Sequence, residues 1–322
     1  MSHPPPPTRS TFCDTQSLPF QLRANDITKH IINIDSRFRD SPASSTPADF
    51  YYTLLAPVRN ILRIRVTSIE FPNNYHVFTV NRRNTTLQFI YNIASPQAIN
   101  IEIPDGNYTA GDMVDTLTTA LTDASLNWLT VAFDETTGAF TFAADRYFAL
   151  NAAGAPGTTW DRPFDYGLGF NLGFTRKVHL AKKLTPSSTT YALTSDTCAT
   201  FQGDNYVFLR VNDYGCVKQT VTIYDSTGYT REEANDFTAL AKVVLREPKN
   251  YMAFDDYASQ HAKEFVFTAP TDLQRLHIQV LDIYGHVMDL CSSPFSFSIE
   301  VLEVKNSTLY NAVRDSLAAC YT

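Results

Sequence analysis

Ile61-Leu-Arg-Ile-Arg-Val-Thr-Ser-Ile-Glu70 is the stretch of the sequence that decides the fold. Apolar and polar side chains alternate along it, and a period of two residues is the signature of a β-strand with one buried face. The residues that follow, Pro72-Asn-Asn74, are a turn signal that ends the strand. The alternation slips by one residue near Ile61 and again near Ile69, which indicates a bulge or a change of facing.

Strand patterns continue on both sides of this stretch. Two earlier runs rich in β-branched and aromatic residues lie at 30–35 and 49–55, and six later ones lie at 205–211, 219–224, 238–245, 264–268, 276–282 and 295–302. Loops connect most of them, whereas a parallel sheet would need a crossover helix between strands. The sequence therefore predicts a mainly β fold, a β-sandwich of two sheets.

Residues 84–184 have a different pattern and predict a small inserted α+β domain. Strand patterns at 87–93 and 98–103 precede Thr109-x-x-Asp112, a capping box with Asp in place of Glu. Apolar residues recur at helical spacing from Met113 to Ala124, and a hairpin pattern follows at 128–133 and 139–142. The body of the protein is then discontinuous, at 29–83 and 185–306, and resumes after a polar linker at 185–197.

Both ends of the chain differ from the body. Residues 1–28 contain four consecutive prolines, Pro4 to Pro7, and predict an extended N-terminal arm. A disordered tail and an arm that orders against a neighbouring subunit both stay open. Residues 307–322 place Leu309, Val313 and Leu317 four apart, which predicts a helical tail. This helix either packs on its own sandwich or crosses an interface.

Composition argues against several classes of protein. The 26 basic and 33 acidic residues give a net charge of −7, which disfavours nucleic-acid binding. No basic segment leads into an apolar run at the N-terminus, and the apolar runs are too short to span a bilayer, so we expect neither a secretory signal nor a membrane-spanning segment. The five cysteines form no Cys-x-x-Cys pair, and we expect reduced thiols.

The titratable residues suggest no catalytic, cofactor or metal site. The seven histidines lack metal-ligand spacing, and His277, within an alternating strand, is interpreted as a structural residue. The acidic pairs Asp255-Asp256 and Glu232-Glu233 are interpreted as solvated turns. No Gly-x-Ser-x-Gly motif is present, so we predict no enzyme, although a hydrolase with converging carboxylates stays open.

Two further patterns receive structural interpretations. The glycine-punctuated stretch 166–174 lacks the Gly-Lys-Ser/Thr ending of a phosphate loop, and we predict a tight β-type connection with its phenylalanines in the core. The basic pairs Arg82-Arg83 and Lys182-Lys183, and the arginines that flank Phe38, are interpreted as solvated loops rather than a converging phosphate site.

The order of several short motifs resembles minor capsid or penton proteins of nucleocytoplasmic large DNA viruses. These motifs are Ile32-Asn-Ile-Asp-Ser-Arg-Phe-Arg39, Asp49-Phe50, Val58-Arg-Asn-Ile61, Thr67-Ser-Ile-Glu-Phe-Pro-Asn73, Ile103-Pro-Asp-Gly-Asn-Tyr-Thr109, a Leu-Gly-Phe near Leu168 and Glu303-Val-Lys-Asn-Ser-Thr-Leu-Tyr310. The resemblance covers about residues 29 to 312. It implies a jelly-roll body without catalytic residues, in the virion capsid and made in the host cytoplasm.

The resemblance also implies the partners. They are a double jelly-roll major capsid protein, other minor capsid proteins and, for a penton, four further copies around a fivefold axis. Vertex and facet positions, and the inner and outer faces of the shell, stay open. A carbohydrate-binding β-sandwich module on the virion surface, with exposed Tyr and Trp as sugar platforms, is the alternative function.

Overall fold

The computed structural model describes residues 26–92, 95–154, 166–224, 231–247, 249, 251–255, 264–306 and 309–319. The predicted N-terminal arm lies almost wholly outside these residues. In chain order the elements are β1 (Ile27–Asp35), a 3-10 turn (Ser36–Phe38), β2 (Asp49–Pro72), β3 (Thr86–Tyr91), β4 (Gln97–Glu102), α1 (Ala110–Asp123), β5 (Leu129–Asp134), β6 (Ala139–Ala144), β7 (Phe148–Asn151), α2 (Leu168–Asn171), β8 (Val178–Leu180), β9 (Lys182–Lys183), β10 (Tyr191–Thr194), β11 (Tyr206–Val211), β12 (Val217–Tyr224), β13 (Arg231–Ala239), β14 (Ala241–Val244), β15 (Met252–Asp255), β16 (Glu264–Leu281), β17 (Ser296–Val304) and α3 (Tyr310–Ala319).

The predicted class, a mainly β, jelly-roll-like fold, is confirmed, because the chain forms curled antiparallel sheets. Its backbone divides into two compact units. Unit 1 contains residues 1–73, 206–219 and 237–322, and unit 2 contains residues 74–205 and 220–236. Unit 1 holds a seven-stranded sheet in the order β1-β17-β2-β16-β11-β14, with β15 paired to β2.

The decisive stretch forms the second half of β2, at the centre of this sheet. Residues 61–70 pair with β17 on one edge, and residues 63–65 and 69–72 pair with β16 and β15 on the other. The pairing with β17 shifts register at Leu62 and at Thr67. The irregularity expected near Ile61 is therefore confirmed, and the one expected near Ile69 lies two residues earlier in the chain. The buried side chains of the unit 1 core include Phe50, Phe71, Phe295 and Phe297.

Two predictions of separate strands are wrong. The runs at 49–55 and 61–70 form one strand of 24 residues, β2, and the runs at 264–268 and 276–282 form one strand of 18 residues, β16. Sequence shows turn-like residues between the runs because both strands bend there. Residues 54–57 of β2 lie opposite a single residue of β16, and residues 267–270 of β16 lie opposite Leu62.

The bend in β2 is held by local chemistry. Asn60 has φ +49°, a left-handed conformation that Asn tolerates better than most residues. Its backbone N–H donates to Asp272 Oδ1 at 3.1 Å. Tyr310, at the start of α3, donates its hydroxyl to Ile61 O at 2.9 Å and also lies 3.0 Å from Ala269 O. The described start of the C-terminal helix therefore packs on its own sheet.

Unit 2 contains two four-stranded sheets, β4-β3-β7-β8 and β5-β6-β10-β9. The predicted helix and hairpin are confirmed as α1 and β5–β6. Thr109 and Asp112 form the predicted capping box, and α1 buries Met113, Leu117 and Leu121. The polar linker predicted at 185–197 is wrong at β10, which pairs with β6 and buries Leu193.

The glycine-rich stretch is a helical turn, α2, rather than the predicted β-type connection. Gly173, directly after it, has φ +90°, and a Cβ atom there would lie 2.1 Å from Thr197 O. Only glycine fits this position. The expectation that the phenylalanines anchor in the core is correct for Phe174, which is buried, and wrong for Phe170, which is exposed.

Candidate functional site

In the described residues, the candidate histidines and carboxylates do not group into a metal site, and several of the histidines have hydrogen-bond partners. In the described ranges no three His, Cys, Asp or Glu side chains are grouped closely enough to hold a metal ion. His30 bonds to Glu303 at 2.6 Å, and His179 bonds to Thr175 O at 2.8 Å. Glu232 and Glu233 lie in β13 and Asp255 lies in β15, so their assignment to turns is wrong, while Asp256 lies outside the described residues.

The basic residues also have local partners. Arg82 donates to Asp204 at 2.8 Å, and Tyr75 is buried beside the same aspartate. Burial and the Asp204 charge raise the pKa of the Tyr75 hydroxyl far above its ordinary value. Arg37 donates its Nε to both carboxylate oxygens of Asp35, and this hydrogen bonding lowers the pKa of that carboxyl. Lys182 and Lys183 are exposed on β9.

A row of polar and aromatic side chains crosses β2 and β16 on unit 1, and we call it the polar ladder. It consists of Asp49, Tyr51, Arg275, His277 and Gln279. The Tyr51 ring stacks on His277 with centroids 4.5 Å apart, and the Arg275 guanidinium lies 4.0 Å from the centre of the same ring. His277 Nε2 bonds to Asp49 Oδ1 at 2.7 Å, and Gln279 donates to the other oxygen at 3.2 Å.

The ladder borders an open pocket of about 660 Å³. Arg210, Asn212, Asp213 and Tyr214 of the neighbouring chain segment complete it. Asn212 accepts a hydrogen bond from the His277 backbone N–H at 2.7 Å, which fixes one wall. The interpretation of His277 as a structural residue agrees with these contacts, since its ring and its backbone both have partners. The pocket is open and combines aromatic, amide and charged groups.

Apolar side chains are exposed at a second place on unit 1, which we call the edge groove. It is an open groove of about 500 Å³ formed by residues 29–32 of β1 and residues 52–56 and 58 of β2. Ile31 is 74% exposed and Leu55 is fully exposed at its rim. In the described part of the chain β1 pairs only with β17, so β1 has an unpaired strand edge, and its residues 29–32 line the groove. Open edges are templates for pairing with another strand.

A third surface, the aromatic edge, lies on β15 and the residue before it. Tyr251, Met252 and Phe254 are 63%, 53% and 64% exposed. β15 pairs with β2 on the edge of that strand opposite β17. Aromatic residues and Met are enriched at the buried centres of protein interfaces. Sequence reasoning missed both apolar surfaces, because alternation marks a strand without showing which edge stays unpaired.

The solved structures that are similar to this chain include the following two. One is the crystal structure of the selenomethionine-labelled mavirus penton protein, with 9% identity, 85% of this chain and 99% of that chain covered, and a TM-score of 0.41. The other is a chain of the Sputnik virophage solved by cryo-electron microscopy, with 13% identity, 87% and 98% covered, and a TM-score of 0.40. The mavirus protein is a penton protein. The order of the sequence motifs in this chain resembles the same class of virion protein.

The other two comparisons found nothing. No protein-family model matches the chain, and no curated protein matches it. Among the described residues, no helix has the length and apolar character needed to cross a membrane.

Proposed function

We propose that this protein is a structural component of an icosahedral viral capsid, a penton or minor capsid protein that acts through subunit contacts. The observation that carries the proposal is the pair of separate surfaces on unit 1 that expose apolar side chains, the edge groove and the aromatic edge. Large exposed apolar patches on soluble proteins mark interaction sites. The order of the sequence motifs supports the same class.

Two different surfaces on one unit suit a ring. In a head-to-tail ring each subunit uses one surface to contact the neighbour before it and another to contact the neighbour after it. The groove and the aromatic edge differ in shape and composition, so they suit such heterologous contacts. In this proposal the body, residues 29–83 and 185–306, makes the ring contacts. Residues 84–184 form the inserted domain.

The remaining parts of the proposal concern partners and place. The ring is surrounded by a double jelly-roll major capsid protein and by other minor capsid proteins in the virion, and the chain is made in the host cytoplasm. No reaction, cofactor, metal ion or nucleic acid is assigned to it. In the sequence the arm at 1–28 leads into β1 and the tail at 307–322 follows β17, and these two strands lie at one edge of the unit 1 sheet.

Counting copies in purified particles tests this proposal. Quantitative mass spectrometry would compare this chain with the major shell protein. About 60 copies per particle, five at each of twelve vertices, are expected for a penton, and hundreds for a facet protein. Absence of the chain from particles would overturn the proposal.

A carbohydrate-binding module is the second candidate, and the polar ladder with its pocket favours it. Aromatic, amide and charged groups converge there as they do in sites for polar ligands. Glycan-array binding by the purified chain, lost in Tyr51→Ala and kept in Tyr251→Ala, would support it. The two tyrosines are both exposed, but only Tyr51 belongs to the ladder.

A further inference from the structure

The backbone of β1 has hydrogen-bonding groups on the edge that does not pair with β17. Asp26 O accepts from Lys305 N at 2.9 Å, and Ser36 N donates to Phe295 O at 3.0 Å. In an antiparallel pair alternate residues bond to the partner strand, so the even-numbered residues of β1 bond to β17. The N–H and C=O groups of Ile31 and Asn33 therefore point toward the open edge.

The sequence of the N-terminal arm contains a segment that matches such an edge. Leu18, Phe20 and Leu22 alternate with Ser17, Pro19, Gln21 and Arg23, which is the pattern of a strand with one apolar face. Pro19 has no N–H and is tolerated only where its nitrogen faces away from a partner strand. The backbone N–H and C=O groups of the alternate residues, Leu18, Phe20 and Leu22, would then point toward the partner strand.

We infer that residues 17–23 of one copy add as a strand to the open edge of β1 in a second copy and cover its edge groove. This inference rests on the proposed function and names a contact of that ring. Ile31 and Leu55 are exposed at the rim of the groove, where an added strand can cover them. Added strands gain affinity from main-chain hydrogen bonds and specificity from the side chains that enter the groove.

The reach of the chain is compatible with an exchanged segment. Residues 24–26 join the segment to β1 and span about 10 Å when extended. The groove that accepts the segment must therefore lie beside the N-terminal end of the donor's β1. Adjacent copies around a symmetry axis can meet this condition.

Photo-crosslinking between ¹⁵N-labelled and ¹⁴N copies of the full chain tests the inference. A benzophenone amino acid replaces Phe20, and chains grown in ¹⁵N and ¹⁴N media are mixed, allowed to exchange and irradiated. We expect crosslinks from position 20 to residues 29–33 or 52–58 that join a heavy to a light peptide. Crosslinks within one isotope only, crosslinks elsewhere, or a chain that stays monomeric at every concentration would overturn the inference.

A proline substitution at the unpaired edge of β1 gives a second test. The Ile31 N–H points away from β17, so Ile31→Pro blocks strand addition while it keeps the β17 ladder. Ile31→Thr is the matched control, because it removes the apolar side chain and keeps the N–H. We expect Ile31→Pro to weaken self-association at least tenfold in sedimentation experiments, more than Ile31→Thr does, without unfolding. Equal self-association of Ile31→Pro and the wild type would overturn the inference.

The copy number in particles separates the two failures. If the chain is present at about five copies per vertex but position 20 does not reach the groove, the capsid proposal stands and the exchanged segment is wrong. If the chain is absent from particles, the capsid proposal itself fails.

Discussion

Arg63 on β2 and Glu300 on β17 form an ion pair of 2.8 Å in which each side chain is only 8% exposed. Glu300 also accepts from Arg65 at 3.1 Å, and Glu264 on β16 lies 3.1 Å from Arg63. This network ties three neighbouring strands together on one face of the unit 1 sheet. The alternation at 61–70 places both arginines on one face but gives no sign that they are buried.

Glu300→Gln should strongly destabilise the protein, because it leaves the buried Arg63 and the partly buried Arg65 without their shared partner. Breaking a buried pair by removing one charge costs about 3–5 kcal/mol. Urea denaturation at neutral pH measures the loss. Glu102→Gln is the control, since Glu102 is exposed on β4 and should change the free energy of unfolding by less than about 0.5 kcal/mol. Equal effects of the two variants would contradict a central role for Glu300.

Tyr310→Phe removes the hydroxyl that α3 places over the bend in β2 and β16. The carbonyl oxygens of Ile61, Phe267 and Ala269 all lie within 3.2 Å of this buried hydroxyl. Leaving buried acceptors without a donor costs about 1–3 kcal/mol. Tyr251→Phe, at an exposed tyrosine, should be close to neutral in the same thermal or urea unfolding measurement.

Asn60 should respond to substitution according to its backbone conformation. Asn60→Val places a β-branched residue at φ +49° and should cost about 1–2 kcal/mol, whereas Asn60→Gly should be tolerated. The two variants remove the same side-chain amide, so a difference between them isolates the backbone. Equal unfolding free energies for both would show that the bend does not need a left-handed residue.

Asp35 should make the protein less stable in acid. Hydrogen bonds from the Arg37 side chain lower its pKa in the folded state below the ordinary value of 3.8. The unfolded chain then binds a proton more readily between the two pKa values. The contribution of Asp35 is therefore present above about pH 4 and is lost as the pH falls through the folded pKa.

Comparing acid unfolding of the wild type and Asp35→Asn measures this effect. The stability difference between the two proteins should be largest above about pH 4 and should shrink at lower pH. A difference that stays constant from pH 6 to pH 2.5 would assign the role of Asp35 to its hydrogen bonds in both protonation states.

Local patterns predicted local structure well. The capping box of Thr109 and Asp112 and the apolar spacing after it are contacts within a few residues, and α1 begins where they place it. The hairpin of β5 and β6 has the same local origin. In each case the residues that decide the element are neighbours in the chain.

Features that depend on distant residues could not be predicted. The bends of β2 and β16 contain proline, so they resemble turns until the partner strand is known. The open edge of β1 follows from its pairing with β17, more than 250 residues later. Burial of Arg63 likewise depends on Glu264 and Glu300, which sequence spacing does not connect to it.

The pairing of β2 with β17 limits when the unit 1 sheet can form during synthesis of the chain. Arg63 and Glu300 are 237 residues apart, so a ribosome that adds ~5–20 residues per second needs roughly 10–50 s to make the second after the first. Residues 74–205 of unit 2 are complete before β17 exists. During that time the apolar side chains of β2 have no partner strand on that edge, and the nascent chain depends on chaperones or on fast folding elsewhere to avoid aggregation.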